Sequence, residues 1–373
     1  MRRLAAAALA VTTVLGLGAT AVTAEAVPTS SASSAAAAPY IVVLNDSADA
    51  QVAAPAQASR FGFEVGHVYT HALQGYSATM APAVAQALET LPGVKWVQVD
   101  KPVSIDAQTT PTGINRANAD ASPTAAINAN DMNGHGTHVS GTIGALDNGT
   151  GVVGMAPGAR IWPVKVLTDA GSGLNSDVIC GIDYVTAHAS QIEVANMSLG
   201  GAGTDDGNCG NTNQDAMHKA ICRSVAAGIT YAVAAGNDSE DAANSTPAAY
   251  DEVITVSALS DFNGVPGGGA PSTCRSDVDD TFANYSNFGS DVDIIAPGTC
   301  IYSTWMLGGY NTISGTSMAT PHVTGGAALY KATHPTATPA QVKSALQASG
   351  TLDWNNSDDG DNTKERLLDV STY

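Results

Sequence analysis

At about 150 residues per domain, a chain of 373 residues holds two or three units and is too long to be one small domain. Thirty-four acidic against fifteen basic residues give a net charge of −19 and a pI near 4.5, which repels phosphate backbones and argues against nucleic acid as a partner. Hydrophobic residues reach 44% and charged residues only 13%, so the chain has material for a sizeable core rather than extended disorder.

Arg2 and Arg3 precede the apolar run Leu4 to Leu17 and a small-residue site at Ala24-Glu25-Ala26, the pattern of an export signal over residues 1–26. The run is broken by Thr12, Thr13 and Gly16, and no later stretch reaches about 18 unbroken apolar residues. A secreted, extracellular chain with no membrane partner is expected. A Ser/Ala-rich spacer occupies residues 27–39. Residues 40–107 then alternate strand and helix signals: strand Tyr40 to Leu44, helix Gln51 to Phe61, period-2 segments around Gly75 between His67 and Met80, helix Ala83 to Leu91 and strand Val94 to Val99. This is the order of a small α+β domain of the split βαβ kind.

Residues 108–373 change character. Strand-like runs at Val194 to Met197, Ile229 to Ala235, Val253 to Ala258 and Val292 to Ala296 are separated by helical patterns. Asn175 to His188 carries Val178, Ile179, Ile182 and Val185 at helical spacing behind an Asn cap, and a last helix opens at Thr338-Pro339 and closes at Gly350. Alternating strands and helices predict an α/β fold, a parallel sheet with helices on both faces. In an oxidising medium the five cysteines pair first by proximity, Cys209 with Cys222 and Cys274 with Cys300, leaving Cys180 as a small buried side chain.

Four segments carry chemistry. In Gly315-Thr-Ser-Met-Ala-Thr-Pro-His322 a serine, Ser317, sits where a glycine turn enters an apolar helix, a position that is either a simple cap or a hydroxyl aimed into a cleft. Asn133 to Thr142 places His135 between glycines at another helix entry, and a neutral imidazole there can take a serine proton. His138 follows at i+3, but no Glu or Cys nearby completes a metal-ligand set. Ala232 to Asn237 is a buried strand ending in Gly-Asn, where the Asn237 amide is either a turn residue or a donor to an oxyanion. Ala195 to Gly201 ends a strand in glycines that let a substrate backbone pair alongside.

In this order the four segments resemble the subtilisin-like serine peptidases, and most closely the secreted group similar to proteinase K. The resemblance implies His135 as general base, Ser317 as nucleophile and Asn237 as oxyanion donor, with Ser198, Leu199, Gly200, Gly201, Ala234, Ala235 and Gly236 along an apolar substrate cleft. It makes residues 40–107 an inhibitory propeptide cut near Ala107-Gln108, with protein or peptide substrates and a monomeric state. It also implies structural calcium held by the carbonyls of Asp251 and Val253 and the carboxylate of Asp293.

One part of the pattern is missing. The family carries an aspartate in an Asp-Ser-Gly or Asp-Thr-Gly run before the histidine, and neither tripeptide occurs in this chain. The sequence passes directly from Thr124-Ala-Ala-Ile127 to Asn130-Asp-Met-Asn-Gly-His135, as though a central strand were deleted near 127–130. Without that carboxylate the histidine loses its orienting partner, so impaired turnover is expected, and the partner of Cys180 could have gone with the segment. The alternative is a non-catalytic relative that binds peptides or inhibitors.

Overall fold

A computed structural model describes residues 36–105 and 131–373. The export signal, most of the spacer, the expected cut near Ala107-Gln108 and the join at 127–130 lie outside the described residues.

The first unit consists of β1 (Ala38–Leu44), α1 (Ala50–Phe61), β2 (Glu64–Tyr69), β3 (Gly75–Met80), α2 (Pro82–Glu89) and β4 (Val94–Val99). Its sheet order is β2-β3-β1-β4, with β1 antiparallel to both neighbours, as the split βαβ pattern requires. Asp49 accepts from the Gln51 N–H to start α1, and Gly62 ends it at φ 74°. The buried faces of α1 and α2 (Ala50, Ala54, Leu88) pack on Val42, Leu44 and Tyr76 of the sheet.

The rest of the described chain runs β5 (Pro102–Ser104), α3 (His135–Gly144), β6 (Ser172–Leu174), α4 (Asn175–Ala187), β7 (Val194–Met197), β8 (Gly201–Ala202), α5 (Ala216–Ala226), β9 (Thr230–Ala234), β10 (Ser245–Thr246), β11 (Ile254–Ser260), β12 (Thr281–Phe282), β13 (Ile294–Pro297), β14 (Ile301–Trp305), β15 (Gly309–Ile313), α6 (Thr316–Thr333) and α7 (Pro339–Ser349). Strands β7, β9, β11 and β13 are parallel, and every residue of β9 and β11 is buried. Period-2 alternation explains both covered faces. Tyr231 and Val233 join Ile179, Ile182, Met217 and Ile221 of α4 and α5 in one cluster, whereas Ala232 packs with Val323, Ala327 and Leu346 of α6 and α7 in another.

Two features depart from sequence expectation. Asn175 does not cap α4: the cap residue is Leu174, whose N–H reaches Asp177 Oδ2 at 3.3 Å, while the Ser176 N–H donates to Asp100 Oδ1 of the first unit at 3.0 Å. The open N–H groups of the helix are met by a carboxylate from elsewhere in the chain. Second, among the described residues β7 pairs only with β9. Trp162, Val164, Val166 and Leu167 pack half-buried against the core without joining any ladder. The disulfides are Cys209–Cys222 and Cys274–Cys300, with Cys180 free, as proximity suggested.

Candidate active site

The chain fills a cleft with its own backbone. Strand β5 pairs antiparallel with β6, and beyond it Ser104 exchanges two backbone hydrogen bonds with Gly200, each 3.1 Å, while the Ile105 N–H donates to Gly171 O at 2.9 Å. The segment Pro102 to Ile105 is thus an added middle strand between β6 and the glycines after β7. A side chain at Gly201 would crowd Pro102 O. Beside this strand lies a cavity of about 250 Å³ walled by Gly200, Gly201, Ala234, Ala235 and Gly236, five of the seven residues expected along the cleft. The other two face elsewhere: Leu199 packs into the core, and Ser198 braces the serine described next.

Ser317 is the second residue of α6 and is buried. Its Oγ donates to Ser198 O at 3.3 Å, and Ser198 Oγ donates to Ser317 O at 2.8 Å, so the turn after β7 and the entry of α6 hold each other. Asn237 is oriented through its oxygen: Oδ1 accepts from the Thr316 N–H at 2.8 Å and from Thr316 Oγ1 at 3.1 Å, which makes Nδ2 the donor end. Gly236 has φ 109°, and a Cβ there would strike the Asn287 amide. Asn287 is fully buried; its Nδ2 donates to Ala235 O at 3.0 Å and its Oδ1 accepts from the Asp238 N–H at 2.9 Å. This support of the Asn237 turn was not visible in the sequence, where Asn287 stands in an ordinary loop.

His135 opens α3, which packs beside α6. Its Nε2 is buried with no hydrogen-bond partner, so the serine hydroxyl is bonded to Ser198 rather than to the imidazole. Burial first, and the neighbouring His138 second, push His135 down to about 4. Asp131 pulls weakly the other way, but its carboxylate is spent on the helix entry: Oδ1 accepts from the Asn133 and Gly134 N–H groups, and Oδ2 from the N–H and hydroxyl of Thr137. A solvated Asp131 is the natural expectation for a polar loop residue; the structure makes it the cap of α3. His138 Nε2 donates to Ile301 O at 2.9 Å, so it serves the packing of α3 on β14.

The expected calcium position needs correction. The carbonyls of Asp251 and Val253 and the carboxylate of Asp293 do converge, but on Lys343 Nζ of α7, at 3.2, 2.9 and 2.8 Å. Three acceptors match the three N–H bonds of an ammonium, which occupies the place a metal ion would take. With Lys343 there the set does not fit calcium. Elsewhere acidic groups gather without that lysine, as Asp205 and Asp206 with His218, and as Asp261, Asp279 and Asp280.

The docking of the first unit also rests on residues that sequence reasoning passed over. Asp183 of α4 accepts from the N–H groups of Thr70, His71 and Ala72, and His67 Nε2 meets Asp177 Oδ1 at 2.9 Å. Asp177 first, and Cys180 next, raise His67 to about 10, so the free Cys180, expected to be buried, is instead half-buried with a basic group from the first unit beside it.

The subtilase family model matches residues 92–366, and the peptidase inhibitor I9 model matches residues 39–106. The chain belongs to the subtilase family. It is similar to the extracellular serine proteinase of Thermus sp. (strain Rt41A), 46% identical over 58% of this chain and 46% of that protein. It is 32% identical to alkaline serine exoprotease A of Vibrio alginolyticus over 77% of this chain and 57% of that one. The subtilase thus spans about half the length of these two relatives, but 72% of subtilisin DY of Bacillus licheniformis, at 38% identity. A cold-adapted subtilisin-like serine proteinase of known structure superposes with a TM-score of 0.51 at 38% identity, over 64% of this chain and 75% of that one. Fervidolysin from Fervidobacterium pennivorans covers 90% of this chain and 60% of its own, with a TM-score of 0.66; at 20% identity it supports the fold alone. Among the described residues no helix is long and apolar enough to cross a membrane.

Proposed function

We propose that this subtilase is a secreted serine endopeptidase precursor that acts on protein or peptide substrates. Ser317 Oγ attacks the scissile carbonyl, His135 takes its proton, and Asn237 Nδ2 donates to the oxyanion. Gly200 and Gly201 pair with the substrate backbone, and Ala234, Ala235 and Gly236 wall the side-chain cavity. Ser198 is reassigned from the cleft to the support of Ser317, and Leu199 to the core.

The observation that carries this reading is the chain's own Pro102 to Ile105, laid into the cleft as an added strand and hydrogen-bonded on both edges. A cut near Ala107-Gln108 would leave that strand as a bound product, so residues 40–107 inhibit the peptidase unit that follows them. Turnover is slow, because no family-type aspartate orients His135 and a base held near 4 stabilises its protonated form poorly. Calcium at Asp251, Val253 and Asp293 is not part of the proposal, since Lys343 serves those groups.

The second reading, a peptide-binding relative without catalysis, is favoured by one observation: His135 Nε2 has no partner and the serine hydroxyl turns to Ser198 O. N-terminal sequencing of the secreted protein over time separates the two. Slow appearance of a chain beginning near Gln108, absent in Ser317→Ala, supports the endopeptidase. A precursor that never changes, or a cut that persists in Ser317→Ala, supports the binder.

A further inference from the structure

The loop before α5 sets a buried imidazole against two carboxylates. His218 of α5 is fully buried, and its Nε2 donates to Glu252 Oε2 at 2.9 Å. That bond leaves the other ring nitrogen, Nδ1, as the lone-pair end of a neutral ring. Nδ1 faces Asp205 Oδ1 at 3.3 Å and Asp206 Oδ1 at 3.4 Å, yet it is buried without a hydrogen-bond partner, because neither contact has the alignment of a hydrogen bond. Among the described residues no lysine or arginine pairs with either aspartate. An acceptor nitrogen thus stands opposite two carboxylate oxygens, a set that lacks its cation. Burial pushes His218 down, but Glu252 and Asp205 outweigh it and draw the ring upward, so positive charge is favoured at this place.

The surroundings hold these atoms in place. Asp206 Oδ1 accepts from the Asn208 and Gly210 N–H groups, both at 2.9 Å, and Oδ2 from those of Thr212 and Asn213 at 2.7 and 3.1 Å. Asp205 Oδ1 accepts from the Gly207 N–H at 2.8 Å, and its Oδ2 from the Asp251 N–H at 3.3 Å. The His218 ring stacks on Tyr250, with centroids 4.1 Å and planes 3° apart, and Tyr250 Oη donates to Asp215 Oδ2 at 2.6 Å. The disulfide Cys209–Cys222 ties the loop to α5 and keeps both sulfurs out of any ligand set.

We propose that Asp205, Asp206 and His218 bind a borderline divalent cation, zinc in class, with Glu252 orienting the imidazole through its far nitrogen. The three ligand atoms lie within 4.8 Å of one another. Metal–ligand bonds of about 2.0–2.1 Å at tetrahedral angles put neighbouring ligands about 3.3–3.4 Å apart, against about 2.8–3.0 Å in an octahedron of the same bonds. The 3.3 and 3.4 Å from Nδ1 to the two oxygens are the tetrahedral spacing. The imidazole argues against calcium and magnesium, which take oxygen ligands. A carboxylate on the other ring nitrogen is the usual support of a ligating histidine. The same loop carries Asn211, whose Oδ1 accepts from Lys95 Nζ, so the ion would brace a surface on which the first unit rests. The site is remote in sequence from Ser317 and independent of the peptidase reading.

Zinc titration of the chelator-treated full chain tests it, read by calorimetry and by melting temperature. Wild type should bind zinc and melt several degrees higher with it. Cobalt in its place should give the strong visible bands of a tetrahedral centre. Asp205→Asn, which removes one ligand charge, should weaken zinc at least about tenfold and abolish the melting shift. Glu252→Gln, which keeps an acceptor for Nε2 but not its charge, should weaken zinc by about ten- to a hundredfold, and serves if the first variant fails to fold. Zinc affinity unchanged in either folded variant would overturn the site, since the ion would then lie elsewhere. So would a wild-type chain with no zinc response, because a proton on Nδ1 would then be the cation. Octahedral cobalt bands, or a melting shift with calcium and none with zinc, would overturn the class of metal and the ligand set with it.

Discussion

Lowering the pH asks His135 directly whether it is a base without an orienting carboxylate. A general base must be neutral, so acylation of Ser317 rises with pH through the histidine pKa and is lost below it. Burial and His138 hold that value near 4. At pH 5 about 0.9 of His135 is then neutral, against about 0.03 for a histidine at the ordinary 6.5. Labelling of Ser317 by a fluorophosphonate should therefore change little between pH 7.5 and pH 5, where an ordinary histidine would give a drop of about thirtyfold. The same lowering has a cost at every pH: about 3 kcal/mol of imidazolium stabilisation is missing, up to about 300-fold in rate. The assay follows probe incorporation with time, maps the labelled residue, and takes His135→Ala as the floor. A half-point near pH 6.5 would refute the reasoning, because it would mean that a carboxylate reaches the imidazole after all.

Lys343→Ala leaves Asp293 with the Thr255 N–H and Gln347 Nε2 as donors, so the loss should be about 2 kcal/mol, below the 3–5 of breaking a buried pair outright. Calorimetry should show a fall of about 4–8 °C, partly restored by calcium in the variant; an unchanged melting temperature would remove the role given to the ammonium. His67 is raised to about 10 in the docked state, so its contribution is complete below the ordinary 6.5 and lost as the pH rises through 10. The precursor should accordingly lose less stability between pH 6 and pH 10 in His67→Gln than in wild type, and equal losses would count against the Asp177 contact. Asp131→Asn should cost about 1 kcal/mol through the α3 cap and leave Ser317 labelling within about fivefold; a loss as deep as in His135→Ala would make Asp131 the orienting group.

The elements were legible where local pattern and tertiary outcome agree. Val194 to Met197 reads as a strand and is one, and the last helix begins at Thr338 with a capping box to Gln341 and ends at Gly350, because both signals are local and self-sufficient. That His135 and Ser317 stand at helix starts and Asn237 just past β9 was legible because a glycine marks each of those element ends. What the sequence hid depends on distant partners. Asn175 has the look of a cap, but Asp100, far earlier in the chain, supplies the acceptor at that helix entry. Asp251, Val253 and Asp293 converge as expected, yet no pattern in the last helix announces that Lys343 points its ammonium among them. Leu199 stands in a cleft motif and packs inward, since in a strand-like run alternate residues face opposite ways.

The strongest test of the missing segment is to put it back. Strand β7 is only half-buried, in contrast to β9 and β11, and its second edge has no ladder partner among the described residues. Trp162, Val164 and Val166 alternate like a strand and pack on the core, yet among the described residues they join no ladder. A strand inserted between Ile127 and Asn130, ending in Asp-Ser-Gly, has a place to pair and leads directly into the loop before His135. In subtilisin, a relative in this family, losing the aspartate alone costs about 3 × 10⁴ in turnover, so insertion should recover a factor of that order. It should also move the labelling midpoint of Ser317 up from near 4, because an adjacent carboxylate favours the imidazolium. The two readouts separate the causes. A gain in thermal stability with no change in rate or midpoint would show that the strand fills a gap without orienting the base. Faster, Ser317-dependent release of a chain beginning near Gln108, together with the shifted midpoint, would show that the fold had kept every other part of the machinery ready for it.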